Sequence, residues 1–123
     1  MVPAGVKTVH VLIVEDEYIT GEFFSQFIRQ HFDCETSIAH SRQEALQLVE
    51  KDKPSIIFMD IAMETKTAGI EACREIKSKY PDIKVYMVSA YTEEIYQDEL
   101  RNSNYNGFID KTSFTREAKQ FLD

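Results

Sequence analysis

Several residues in the 123-residue sequence are of types that could handle a phosphoryl group and a divalent ion, and each stands at the end of an apolar run. Glu15, Asp16 and Glu17 follow Val9–Val14, Asp60 follows Ser55–Met59, Ser89 follows Val85–Val88, and Lys111 follows Gly107–Asp110. Carboxylates brought together repel, so one pKa rises unless a cation joins them. A hard divalent ion removes that conflict. Mg²⁺ typically takes one or two carboxylates and completes its shell with waters and phosphate oxygens. Lys111 offers a point charge to one phosphoryl oxygen and Ser89 a hydrogen bond to another. Asp60 is then the candidate nucleophile, because carboxylates attack phosphoryl groups to form aspartyl phosphates. Chemistry of this kind is mostly positioning and charge neutralisation. Taken singly, each residue has an ordinary explanation. Acids are favoured at helix N-termini, which accounts for Glu17, and an Asp after a strand is usually a turn or cap. Their joint order, each at a strand end, argues for one site.

The elements that must position these residues alternate along the chain. Val9–Val14 reads as a buried strand, followed by Ile19, Phe23, Phe24, Phe27 and Ile28 at helical spacing. Cys34–Ala39 is a more polar strand. Ser41 with Glu44 forms a capping box for a helix whose apolar face is Ala45, Leu46, Leu48 and Val49. After the strand ending at Asp60, a polar loop leads to a helix from about Ile70 to Lys79, closed by Pro81. Thr92 is the expected N-cap of a helix to about Arg101, and a last helix spans about Ser113 to Leu122. Strands alternating with helices predict an α/β fold, a parallel sheet with helices on both faces. The first, third and fourth strands are nearly all apolar, as strands buried on both faces must be. The second and fifth carry Glu35, Thr36, Ser37 and Asp110 and read as edges. Order 2-1-3-4-5, a doubly wound (βα)5 arrangement, places them there, and its ligand site lies beyond the carboxyl ends of the first and third strands. His10, the polar residue of the first strand, reads as a partly exposed strand-start histidine.

Composition bounds the function. The chain has 21 acids against 14 bases, a formal charge of −7, and 43% apolar residues. This length suits one domain, over 9–123, preceded by a leader or tag-like extension at 1–8. The acidic balance argues against direct nucleic-acid binding by this domain. No apolar run reaches the ~20 residues of a membrane helix, and the leader has no signal-peptide core. Cys34 and Cys73 show no metal spacing, so two reduced thiols and a cytoplasmic location are expected. No GxxxxGK phosphate loop occurs.

The ordered set resembles the receiver domain of two-component response regulators, over about Val9 to Leu122. The carriers are VLIVEDE (Val11–Glu17), IIFMDI (Ile56–Ile61), GIEACREIK (Gly69–Lys77), VSA (Val88–Ala90) and GFIDK (Gly107–Lys111). The resemblance implies a flavodoxin-like fold and a Mg²⁺ site made by Glu15, Asp16, Asp60 and the backbone carbonyl of Ala62, with Asp16 a direct ligand. It implies Asp60 as the phosphorylated residue, Lys111 as the family's lysine, Ser89 as the switch hydroxyl, and Phe108 as the aromatic whose rotamer reports phosphorylation. It also implies a histidine kinase or phosphotransfer protein as phosphodonor. The surface of the fourth helix, fifth strand and fifth helix would change shape to control an output domain or a downstream protein. A homodimer through the fourth-helix face is compatible with the family. Tyr91, Tyr96 and Tyr105 are expected in or near that surface, either as a partner site or as ordinary amphipathic surface.

The chain departs from the family pattern in places. Thr112 stands where a cis proline usually follows the lysine. A cis bond before a non-proline residue costs roughly 3 kcal/mol, so a trans or strained Lys111–Thr112 bond is expected. Glu64 replaces a proline after Met63, and the stretch from Asp60 to Gly69 is one residue longer than the commonest spacing. Phe108 has no hydroxyl. Ala62 and Tyr91 occupy positions that tune acyl-phosphate hydrolysis in the family, and they suggest slow self-dephosphorylation. The main alternative is a receiver-fold interaction module that works independently of phosphorylation, for which Thr112 is the chief argument. A flavodoxin-like protein would need a hydroxyl- and Gly-rich phosphate loop after the first strand. An aspartyl-phosphate phosphatase would want an Asp at position 62, where Ala62 stands. The twelve residues after Lys111 suffice only for the last helix. The chain therefore reads as a stand-alone receiver or a piece of a longer regulator, and the lack of a helix stop at Asp123 favours the piece.

Overall fold

The computed structural model describes residues 9–122, so the extension expected at 1–8 and the terminal Asp123 lie outside the described residues. Five parallel strands, β1 (Val9–Val14), β2 (Cys34–Ala39), β3 (Ile56–Asp60), β4 (Lys84–Ser89) and β5 (Gly107–Asp110), form one sheet in order β2-β1-β3-β4-β5. The helices are α1 (Tyr18–His31), α2 (Arg42–Asp52), α3 (Ala68–Lys79), α4 (Gln97–Leu100) and α5 (Phe114–Leu122). The doubly wound order expected from strand polarity is the one observed, with the more polar β2 and β5 at the edges.

Strand alternation sends neighbouring residues to opposite faces, and each face buries its own cluster. Leu12, Val14, Ile57, Met59, Val85 and Met87 pack with Ala45 and Val49 of α2 and Ile70, Cys73 and Ile76 of α3. Val11, Ile13, Phe58, Val88 and Ile109 pack with Phe24 and Ile28 of α1 and Phe114 and Ala118 of α5. On that second face Phe114 stacks on Phe24, centroids 3.8 Å apart, and meets Phe58 edge-on at 5.2 Å. Ser41 caps α2 as expected, its side chain accepting from Glu44 N–H at 3.1 Å.

Two expectations are corrected on the α4 side. The segment after Thr92 is a 3₁₀ turn, Glu93–Tyr96, followed by the single α-turn of α4, and the Thr92 side chain makes no cap bond. Tyr96 is 8% exposed and joins the core cluster, so it belongs to neither a partner surface nor an amphipathic one, whereas Tyr91 is 61% exposed. His10 is half-buried as expected and bonds Ser37 Oγ at 2.9 Å. No helix among the described residues is long and apolar enough to cross a membrane.

At the sheet's opposite end from the strand carboxyl termini, Lys77 is buried and donates to Pro81 O at 3.0 Å, Ile83 O at 2.9 Å and Asn106 Oδ1 at 3.0 Å. Its three donors meet three acceptors, tying α3 to the starts of β4 and β5. Asn106 Oδ1 also accepts from Val85 N–H at 2.8 Å. Lys77→Met keeps the apolar stem but leaves the buried Ile83 carbonyl, and the Pro81 carbonyl, without this donor. It is expected to lower unfolding free energy by about 2–3 kcal/mol, read by urea denaturation.

Candidate functional site

Strand register brings the predicted residues together. Val14 pairs with Met59, so Glu15 emerges beside Asp60. Asp60 pairs with Val88, which puts Ser89 one step beyond, and Ser89 pairs with Asp110, so Lys111 follows at the same end. The carboxyl ends of β1, β3, β4 and β5 thus converge at the point where the winding reverses.

The centre is a three-residue ion cluster. Lys111 Nζ lies 2.9 Å from Glu15 Oε1 and 3.2 Å from Asp60 Oδ2. Glu15 and Asp60 are buried, at 1% and 5% exposure, whereas Asp16 is exposed. Burial, then the hydrogen bond and the charge of Glu15, push the Asp60 carboxyl up to about 8, although Lys111 pulls it down. For Lys111, burial disfavours the ammonium, but the hydrogen bond to Glu15 and the charges of Asp60 and Glu15 outweigh it, and its pKa rises. The cluster is short of positive charge: when both are ionised, the two buried carboxyl groups share one ammonium.

Two observations fit a cation here. Ligand oxygens of Glu15, Asp16 and Asp60 lie within 4.8 Å of one another. Glu15 Oε2 is buried with no hydrogen-bond partner among the described residues, and an orphaned buried acceptor is costly. An all-oxygen donor set suits Mg²⁺ and not a soft metal. Ala62, whose carbonyl is the fourth expected ligand, is exposed in the β3–α3 loop.

The surrounding loops show how the site is held. Gly69 N–H donates to Ile61 O at 2.9 Å. A Cβ on Gly69 would stand 1.9 Å from the Asp60 carbonyl oxygen, so only glycine lets α3 start this close to the end of β3. Glu64 accepts from Arg42 N–H at 3.0 and 3.3 Å, a use of the replaced proline position that the sequence did not announce. The Lys111–Thr112 peptide is trans, since no described bond is cis. Asp110 Oδ1 accepts from Thr112 N–H at 3.0 Å and Thr112 Oγ1 at 2.8 Å, capping the 3₁₀ turn Lys111–Ser113. Thr112 therefore does not keep Lys111 from the carboxylates. Ser89 is 3% exposed, and its hydroxyl accepts from Tyr91 N–H at 2.9 Å, which leaves its own proton free to donate. Phe108 is half-buried and packs against the α2/α3 cluster. Thus Glu15, Asp16, Asp60 and Lys111 form one cluster, Ser89 lies beside it in register, and Phe108 lies within β5, three residues before Lys111.

Comparison with known proteins gives the family. Residues 11–122 match the model of the response regulator receiver domain. The chain belongs to that family. Among its relatives is the transcriptional regulatory protein DegU of Brevibacillus brevis, 29% identical over 102 residues, which are 82% of this chain and 43% of DegU. The transcriptional regulatory protein BaeR of Escherichia coli is 37% identical over 93 residues, 76% of this chain and 38% of BaeR. The chain thus spans less than half the length of these two relatives. The response regulator domain of Thermotoga maritima CheB superposes with a TM-score of 0.81 at 26% identity, covering 94% of both chains. A CheY-like receiver domain protein from Methanospirillum hungatei shares the fold, with a TM-score of 0.80 at 21% identity over 95% of both chains.

A raised carboxyl pKa makes stability depend on pH. Asp60 holds its proton more tightly folded than unfolded, so its contribution is fully present below pH 4 and is lost as pH rises through about 8. In chelator-treated protein, Asp60→Asn is expected to raise Tm more at pH 8 than at pH 5, measured by thermal melts. Equal gains at both values would contradict the charge conflict.

Proposed function

We propose that this receiver domain takes a phosphoryl group onto Asp60 in a Mg²⁺-dependent reaction and thereby acts as a signalling switch. The observation that carries this reading is the buried Glu15–Asp60 pair, bridged by Lys111, with an unpartnered carboxylate oxygen beside an exposed Asp16. Glu15, Asp16, Asp60 and the Ala62 carbonyl would hold the ion, which would supply charge neutralisation to the entering phosphoryl oxygens. Asp60 is the nucleophile. Its carboxylate oxygen forms the bond to phosphorus as the donor's bond breaks. Lys111, already 3.2 Å from Asp60 Oδ2, pairs with a phosphoryl oxygen, and the Ser89 hydroxyl donates to another. In this sense the domain catalyses its own phosphorylation and dephosphorylation, yet it is a switch and not a metabolic enzyme. Phe108 and Ser89 are the residues that would couple the added charge to the surface of α4, β5 and α5.

The phosphodonor is a histidine kinase or phosphotransfer protein, and α1 has a surface suited to docking it. Tyr18, Ile19 and Phe23 are 66%, 82% and 54% exposed, and they lie within two turns of Asp16. Downstream, the receiver acts on an output domain or a separate protein; the names of the relatives say "transcriptional regulatory protein", and the whole-protein role of this chain is proposed on that basis. The domain organisation of 1–8 and 9–123, a cytoplasmic location, and a homodimer through the α4 face belong to the same reading. Direct nucleic-acid contact by this domain does not, since its net charge is −7.

Acetyl phosphate with Mg²⁺ is expected to add one phosphoryl mass to the intact protein, absent in Asp60→Asn and after chelation. Because Ala62 cannot orient a water and Tyr91, two residues after Ser89, would shield the site, the adduct should outlast seconds, and a half-life of seconds unaffected by substitutions at these two positions would contradict that. No adduct and no Mg²⁺-dependent amide shifts would favour an interaction module that works without phosphorylation. A further expectation separates donor classes. Ile19→Asp and Phe23→Ser should slow transfer from a phosphohistidine protein about tenfold or more, the order of one lost apolar anchor, while leaving acetyl phosphate labelling unchanged.

A further inference from the structure

Two contacts run from the β2–α2 turn to the two loops that carry the acidic cluster. On one side, His40 Nδ1 lies 2.9 Å from the main-chain oxygen of Glu15. A carbonyl only accepts, so Nδ1 carries the hydrogen. The same ring stacks on Tyr18 with centroids 3.7 Å apart and planes 11° from parallel. The Glu15 N–H in turn donates to Ala39 O at 2.9 Å. The end of β2 therefore grips the Glu15 peptide at both its N–H and its C=O, and Asp16 lies between the two residues that His40 touches. On the other side, Arg42 N–H donates to the Glu64 carboxylate. The first N–H groups of a helix lack partners within it, and the helix dipole favours an anion there. Glu64 thus anchors the β3–α3 loop to the start of α2, two residues after Ala62. The Arg42 guanidinium adds ion pairs to Glu71 and Glu75 on α3.

We propose that the β2–α2 turn is a positioning clamp for the divalent-cation site. His40 sets the main chain that presents Glu15 and Asp16, and Glu64, held by Arg42 N–H, sets the loop that presents the Ala62 carbonyl. The clamp rests on the reading of this cluster as a Mg²⁺ site. Neither His40 nor Glu64 is a ligand; both act through the backbone. Mg²⁺ demands near-octahedral geometry and tolerates little displacement of its ligands. Asp16 is exposed and carries a charge repelled by its neighbours, so without a hold on its main chain it would turn toward solvent. The β3–α3 loop is longer than the commonest family spacing and has Glu64 where a rigid proline is usual, so it needs a tether of another kind.

The test is a Mg²⁺ titration of the metal-free full chain, followed by amide NMR at Asp16 and Ala62 and by calorimetry. The variants are His40→Ala, Glu64→Ala and the conservative His40→Asn and Glu64→Gln. The alanine variants are expected to weaken Mg²⁺ binding about tenfold each, the low end for losing a group that orients a metal ligand. Asn keeps an N–H for the Glu15 carbonyl and Gln keeps an oxygen for Arg42 N–H, so these should bind within a few-fold of wild type. In acetyl phosphate labelling, the Mg²⁺ concentration for half-maximal rate should rise in the alanine variants while the rate at saturating Mg²⁺ stays the same. A general loss of fold would instead lower that saturating rate together with Tm, and this outcome overturns the clamp. Normal wild-type binding with unchanged alanine variants overturns the clamp alone. A wild type with no Mg²⁺ response overturns the site reading, and the clamp falls with it.

Discussion

Two buried carboxylates facing one ammonium set the terms for the rest of this structure. Glu15 and Asp60 would repel each other strongly at low dielectric, and Lys111 offsets that repulsion for only one charge. The chain holds this unbalanced group in place because its two carboxylates sit at the ends of strands whose interiors are almost wholly apolar. Moving Asp60 away from Glu15 would mean shifting β3 against β1, and a one-residue slip turns every core side chain to the wrong face. Hydrophobic burial over the whole sheet thus supplies the force that keeps like charges together. On the proposed function, the conflict stored there is what would make the cluster receptive to a cation, and to a phosphoryl group accompanied by one.

Backbone proximity matters as much as charge. Gly69 allows α3 to begin against the Asp60 carbonyl, where any Cβ would collide with main-chain atoms that cannot yield without moving the strand end. Asp110 performs a comparable service on the other side. By capping the turn that contains Thr112, it orients the segment that carries Lys111 without the proline usual in the family. Thr112 had been the main argument for a receiver fold that no longer uses its acidic site. Lys111 nevertheless lies within hydrogen-bond distance of both carboxylates, so Thr112 does not displace the lysine.

The legible and illegible parts of the sequence divide along a physical line. Strand order followed from polarity because exposure on an edge is a property of residue type, as Glu35 and Asp110 show. The site residues were legible because strand ends are fixed by where apolar runs stop. The α4 region misled because helical spacing cannot tell a 3₁₀ turn from an α-turn over four residues, and because Tyr96, within an acid-rich stretch, gave no sign that it would be drawn into the core. His40 and Lys77 carried no usable signal, and Glu64 stood out only as a replaced proline with no sign of its partner. Each acts on a main-chain group distant in sequence, and such partners are created by the fold and not by local pattern. Gly69 had a weak signal, as a lone glycine opening an amphipathic run, but its reason lies in the Asp60 carbonyl 1.9 Å from its missing Cβ.

The two sides of the cluster are built unequally, and this bears on where a change of charge at Asp60 would be felt. Toward β1 and β2, Glu15 and the β3–α3 loop are tied through Ala39, His40 and Arg42 to two helices of 14 and 11 residues. Toward β4 and β5, Ser89 is followed by an exposed turn, a 3₁₀ segment and a four-residue helix anchored in the core chiefly by Tyr96 and Leu100. Beyond those anchors, Arg74 of α3 donates to the Glu99 and Arg101 carbonyls, and a hydrogen bond from Tyr105 to Glu93 holds this segment to the chain before β5 and raises the Tyr105 pKa to about 12. Local stability follows the number of buried contacts a segment makes. A group that pulls on both sides moves the one that resists less. On the proposed function, this asymmetry would direct a rearrangement driven from Asp60 toward the β4–α4 side and leave the β1–β2 side as the frame against which it occurs.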